Sequence, residues 1–249
     1  MSGFGGFEHN RQSLRIVEEI ERPYPGFAGL NLMYETRLGL AKHHSRYDEP
    51  GESGFSEKSC SIEGQISDLA DRVAYNCHDL EDGLRSRIIT EADLRGLRLW
   101  DESGVRIGAG SIEDGFVRRT RTAKGIIEIL VSDLIEASGE KIESAGIESV
   151  EDVYGREDNL VVLSGDAEKG IRELEDFLME RFYLHEEILA TAKKVQGWLG
   201  ELFARFVSEP GGMPGYYQGL VEEYGVERAV CDYVSGMTDR FCLKLLGEV

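Results

Sequence analysis

Apolar positions mark one long helix more clearly than any other part of the chain. Over residues 61–88, Ile62, Ile66, Leu69, Val73, Leu80 and Leu84 recur at steps of three, four and seven. At 100° per residue they fall within one narrow arc, which predicts an amphipathic helix buried along that arc. Upstream, residues 8–21 predict a shorter helix with Leu14, Val17 and Ile20 on a face. The segment Arg22-Pro23-Tyr24-Pro25-Gly26 ends it, because proline removes a donor and restricts the residue before it. Residues 33–46 predict a second helix, and residues 47–59, rich in Gly, Ser and Glu, predict a loop.

Downstream the pattern is less regular. Thr90-Glu91-Ala92-Asp93 resembles a capping box and predicts a helix start. In 97–116, Leu97, Leu99, Val105 and Ile107 flank Asp101-Glu102-Ser103-Gly104, which predicts either a small hairpin or a loop. Residues 116–145 read as helix again and open on Arg118, Arg119, Arg121 and Lys124. A short strand is predicted at 159–163, one or two helices over 164–207, a loop at 210–215 and a last helix over 226–246. There is no internal repeat. The expected class is all-α, an irregular helical bundle.

With 249 residues, 41% of them hydrophobic, the chain is long enough for a sizeable core. No apolar run is long enough to span a membrane, and the first residues lack the basic-then-apolar pattern of a secretory signal. Cys60, Cys77, Cys231 and Cys242 form no CxxC pair, so free thiols in a reducing cytoplasm are expected. A net charge of −19 disfavours broad nucleic-acid binding. It does not exclude a small anionic substrate, because a few cations and a metal can make a local positive site.

The polar side of the long helix carries the candidate chemistry. Asp71, Tyr75 and Asp79 are spaced by four and line one stripe, with Asp68, Arg72, His78 and Asp82 on the same broad side. Taken alone, this pattern is that of a solvated face, although a Tyr and a His among carboxylates are unusual for one. The order of residues says more. Asp71-Arg72-Val73-Ala74-Tyr75-Asn76-Cys77-His78-Asp79-Leu80 resembles the last motif of the HD-superfamily deoxynucleoside triphosphate (dNTP) triphosphohydrolases, in their dGTPase-like branch. Four further segments agree in order: Gly5-Gly6-Phe7-Glu8-His9-Asn10-Arg11-Gln12-Ser13-Leu14-Arg15-Ile16, Gly29-Leu30-Asn31-Leu32, Gly39-Leu40-Ala41-Lys42-His43-His44 and Gly236-Met237-Thr238-Asp239-Arg240-Phe241.

The resemblance implies an HD-type helical bundle that hydrolyses a dNTP at the α-phosphorus, releasing deoxynucleoside and triphosphate. It implies a divalent metal, Mg²⁺, Mn²⁺ or similar, held by a His, a His-Asp pair and a final Asp. That final Asp is Asp71. The other three ligands are expected upstream of Gly5-Gly6-Phe7, so the chain is expected to be N-terminally truncated, with an incomplete metal site and little or no activity alone. His78-Asp79 lies within the last motif and is not read as the metal pair. By the same resemblance Tyr75 stacks on the deoxyribose, leaving little room for a 2′-hydroxyl, and Asp79 accepts from the 3′-hydroxyl. Arg72 and Lys42 contact phosphate oxygens, and His9 donates a proton or orients water near the scissile phosphate.

The implied division is residues 1–95 as the C-terminal part of the HD domain and 96–249 as an associated helical region. Expected partners are a dNTP and either further copies of the chain or a partner chain supplying the upstream ligands. The alternative is a non-catalytic module that binds dNTPs or assembles with a full-length relative. A third, weaker alternative is a metal site improvised from His9, His43 or His44 and His78-Asp79.

Overall fold

A computed structural model of the chain describes residue 3, residues 6–43 and residues 54–247. The described residues form eleven α-helices and no strand. The expected all-α class is therefore the one observed. The helices are α1 (His9–Arg15), α2 (Tyr34–Ala41), α3 (Ile62–Ser86), α4 (Arg98–Arg106), α5 (Gly115–Ala145), α6 (Val150–Tyr154), α7 (Gly165–Leu178), α8 (Glu186–Ser208), α9 (Gly215–Tyr224), α10 (Val226–Ser235) and α11 (Asp239–Leu246). No helix among the described residues is long and apolar enough to cross a membrane.

The chain divides into two compact units, Tyr34–Ile188 and Met1–Met33 with Leu189–Val249. The motif-based division at 95/96 concerns a different property from compactness.

In the first of these units, α3 packs on α5, α2 and α7, and α4 packs on α5 and α7. Val73, Leu80 and Leu84 of α3 meet Ile126 and Leu130 of α5, Leu99 and Trp100 of α4, and Ile171, Leu174 and Leu178 of α7 in one core. Ser61 caps α3 by accepting from the Gly64 N–H at 3.2 Å. Close approach of α4 to α5 needs Gly125, where a Cβ would lie 2.2 Å from the Ser103 hydroxyl oxygen. That hydroxyl donates to the Thr122 carbonyl at 2.6 Å.

Several elements depart from the sequence expectation. The stretch expected as hairpin or loop contains α4, with Leu99, Trp100 and Ser103 buried. Thr90 and Asp93 do make the expected contact, since the Thr90 N–H and hydroxyl both donate to Asp93 at 2.9 and 2.6 Å, but turns rather than a helix follow. Residues 159–163 are not a strand. Their backbone donors go to side chains instead: Leu160 and Val161 donate to buried Gln65 at 2.7 and 3.1 Å, and Val162 donates to Ser138 at 2.9 Å. The helix expected over 33–46 is seen as α2, with residues 44–46 outside the described part. The last expected helix is two, α10 and α11, parted at Gly236–Thr238.

The other unit gathers Leu202 and Phe206 of α8, Met213 just before α9, Ala229, Val230 and Tyr233 of α10, and Cys242 of α11 into a second core. Here α1 is tied to α10 by Arg15, which donates to fully buried Asp232 through Nε at 2.9 Å and Nη2 at 2.8 Å. Gln12 adds a third bond to Asp232 at 2.9 Å.

Candidate functional site

The stripe predicted on α3 is present. Asp71 and Tyr75 are exposed, and Asp79 is half-buried. Their spacing of four places them one above the other along the helix. Packing of α2 on α3 brings the residues after α2 to the same stripe. His43 Nδ1 sits 2.6 Å from Asp68, and its Nε2 is 3.9 Å from Asp71. Lys42 is half-buried at the end of α2. Nearby Glu57 is held below the usual carboxylate range, first by the Tyr34 hydroxyl and to a lesser degree by the Lys42 charge. His44 lies outside the described residues.

Arg72, expected on phosphate, is engaged by two carboxylates of α7. Its Nε donates to Glu175 at 2.7 Å and its Nη1 to Glu168 at 2.8 Å, while Nη2 is shared between them at 3.1 and 3.2 Å. Glu175 is buried and also accepts from Asn76 at 3.3 Å. These charge-assisted bonds raise the Arg72 pKa further despite the burial that opposes it. The arrangement is a clamp between α3 and α7. Its geometry leaves little donor capacity for a phosphate unless Glu168 turns away.

α7 continues past Leu178 as a π-helical turn, Met179–Tyr183. This turn carries Tyr183 to the stripe, a residue that no motif in the sequence singled out. Its ring lies 6.4 Å from that of Tyr75 at an interplanar angle of 23°. Its hydroxyl donates to Asp79. Burial pushes the Asp79 carboxyl above the ordinary range, while the Tyr183 and Tyr75 hydroxyls pull the other way. Burial first, then the Asp79 bond, pushes the Tyr183 phenol up as well. The result is a half-exposed aromatic slot with a partly desolvated carboxylate at its end, an arrangement able to take a flat or sugar-like group and accept one hydroxyl.

The remaining candidates are placed differently. His9 opens α1 in the other compact unit, half-exposed, with Nδ1 3.4 Å from the capping residue Glu8. His78 faces outward from α3.

A metal finds no complete site among the described residues, where no group of three or more His, Cys, Asp or Glu side chains is arranged to hold an ion. Asp71 with distant His43 offers too few donors to fix a transition metal, which ordinarily takes three or four protein ligands. Of the set His9, His43 or His44 and His78-Asp79, Asp79 is engaged by Tyr183, His44 lies outside the described residues, and His9 lies in the other compact unit.

Residues 161–248 match the family model of the phosphohydrolase-associated domain. The chain is 40% identical to the deoxyguanosinetriphosphate triphosphohydrolase-like protein of Geobacter sulfurreducens, over 98% of this chain and 64% of that one. A protein of the same name from Geobacter metallireducens is 40% identical with the same coverage. That of Azoarcus sp. is 37% identical over 98% of this chain and 65% of its own length. The chain thus spans just under two thirds of the length of these relatives. By sequence, along nearly all of its length, it is a relative of the dGTPase-like branch of the HD-superfamily phosphohydrolases.

Proposed function

We propose that this chain is the nucleotide-binding portion of a metal-dependent dNTP triphosphohydrolase. The observation that carries the reading is the slot made by Tyr75, Tyr183 and Asp79 on a helix whose motif resembles the family's last one. In this reading a deoxyribose packs on the exposed Tyr75 ring, where a 2′-hydroxyl is excluded by the ring's proximity. Asp79 takes the 3′-hydroxyl, giving up part of its bond to Tyr183. Lys42 meets the phosphates. Arg72 first of all holds α3 to α7 and reaches a phosphate only if Glu168 releases it. His9 acts near the scissile phosphate as proton donor or water-orienting group. Asp71 is one metal ligand, and the rest of the set comes from outside the described residues. In the reaction, water adds at the α-phosphorus, the bond to the 5′-oxygen breaks, and deoxynucleoside and triphosphate leave.

Calorimetric titration with dGTP and GTP tests this. The purified chain is expected to bind dGTP at least ~10-fold more tightly than GTP, a difference of about 1.4 kcal/mol. Tyr75→Ala and Asp79→Asn should each remove most of that preference. Equal affinity for the two nucleotides, or no binding of either, would defeat the proposal. Triphosphate release with Mn²⁺ distinguishes its two forms. Release that vanishes in Asp71→Ala marks a catalytic chain, and dGTP binding without release marks a binding module.

A further inference from the structure

A second concavity lies where the C-terminal end of α3 meets the first turn of α5. Its volume is about 540 Å³, within the range of small-molecule sites. Three arginines line it: Arg85 from the last turn of α3, Arg87 just beyond it, and Arg119 from α5. Leu84 and Ile89 form an apolar floor, and Phe116 contributes an aromatic ring that is 58% exposed.

Charge makes this concavity unusual for its chain. There are 47 acidic residues against 28 basic ones, and most arginines of this unit are held by carboxylates. Arg85 and Arg87 form no ion pair among the described residues. Two carboxylates do line the space, Glu81 and Glu91. Glu91 is already neutralised by a bidentate pair from Arg118, both bonds 2.9 Å, with Arg119 at 3.7 Å. The balance is therefore positive.

Backbone geometry points the same way. Arg87 occupies the left-handed region, φ 64°, at the position after α3 where glycine is usual. A glycine would sit there without strain. The chain instead carries a long cation that lines this concavity.

We propose that the concavity binds a phosphate ester with a flat apolar body, its phosphate between Arg85, Arg87 and Arg119 and its body against Phe116 and Leu84. Arginine matches phosphate with paired N–H donors, and an exposed ring beside it matches a planar group. This site is separate from the Tyr75–Asp79 slot, and the inference does not depend on the proposed function.

Calorimetric titration of the whole chain with phenyl phosphate and with inorganic pyrophosphate tests it. Wild-type protein is expected to bind both. Arg87→Gly should weaken both by at least ~10-fold while leaving the fold intact, since glycine suits that backbone. Arg119→Gln should do the same. Phe116→Ala should weaken phenyl phosphate and spare pyrophosphate. Tyr75→Ala should change neither, so loss of binding there would locate the ligand in the slot and overturn the proposal. Absence of binding to the wild type, or unchanged affinity in Arg87→Gly and Arg119→Gln, would also overturn it.

Discussion

Two stretches of α3 carry arginine, and they treat it oppositely. Arg72, mid-helix, has its Nε and both terminal nitrogens bonded to Glu168 and Glu175. Arg85 and Arg87, at the C-terminal end, face a concavity without ion pairs among the described residues. The same residue type is structural in one place and available to a ligand in the other. What separates the two is whether a neighbouring helix supplies carboxylates at the right height. α7 does so for Arg72, with Glu168 and Glu175 seven apart on one face. Beside Arg85 and Arg87, Glu91 is already occupied by Arg118, and Glu81, which also lines the space, forms no ion pair with either among the described residues.

Cutting the clamp should have the largest effect. Glu175 is 4% exposed, and it partners both Arg72 and Asn76. Glu175→Ala leaves a partly buried guanidinium with half its partners and takes from the Asn76 amide one of its two acceptors, the other being the Arg72 carbonyl at 2.8 Å. Removal of one member of a buried pair costs about 3 kcal/mol or more, because the other charge stays desolvated. Glu168 is half-buried and shares its charge with Arg172, so Glu168→Ala should cost about 1 kcal/mol or less. Urea denaturation of the two variants measures the difference. Equal losses would mean that burial does not distinguish the two carboxylates and that the clamp reading is wrong.

At the other end of α3 the sign should reverse. Arg87→Gly relieves a left-handed backbone and removes an unpaired cation. Against this, glycine adds freedom to the unfolded chain. At a position where the left-handed conformation is required, the first effect dominates, and a gain of about 0.5–1 kcal/mol is expected. A thermal melt checks it. A loss of stability would show that Arg87 makes a contact worth more than its backbone strain, and the contrast with Arg72 would dissolve.

Much of this contrast was illegible in the sequence, for identifiable reasons. The α3 stripe was readable because a 3.6-residue period survives any tertiary arrangement, and Ile62 through Leu84 keep it. Arg72 was readable as a candidate but not its partners, which lie about a hundred residues away in sequence. The Glu168-Arg172-Glu175 run on one face of α7 was the available signal. Tyr183 was hidden because a π-helical turn shifts the face on which it emerges, and an α-helical projection misplaces it. α4 was misread because Leu97, Leu99, Val105 and Ile107 mimic alternation, whereas Leu99, Trp100 and Ser103 are the buried set and Val105 is 83% exposed. The apolar run at 160–163 has a strand-like composition, but it bends at 160 and 161, and Gln65 and Ser138 rather than a neighbouring strand satisfy its backbone donors. His43 came to Asp68 and Asp71 through the packing of α2 on α3, which no local pattern announces.

The smallest effect expected concerns the third link from α3 toward the end of α7, the bond from Tyr183 to Asp79. Burial raises the Asp79 pKa above its ordinary 3.8, so the folded protein holds this proton more tightly than the unfolded chain does. The stability this contributes is fully present below the ordinary aspartate range and is lost as pH climbs through the raised folded value. The Tyr183 hydroxyl opposes that rise by donating to the charged carboxylate. Tyr183→Phe removes the donor and keeps the ring, so the Asp79 midpoint should move higher still, and the loss of stability should shift to higher pH with it. Carbon-detected NMR of the Asp79 carboxyl during an acid titration reads the midpoint directly. Unlike the Arg72 clamp, this link joins one ionisable group to a neutral one, so its removal should alter when Asp79 charges far more than how firmly α3 holds α7. A midpoint that stays put in the Phe variant would mean that the hydroxyl does not reach Asp79 in solution, and the slot would lose the contact that shapes its floor.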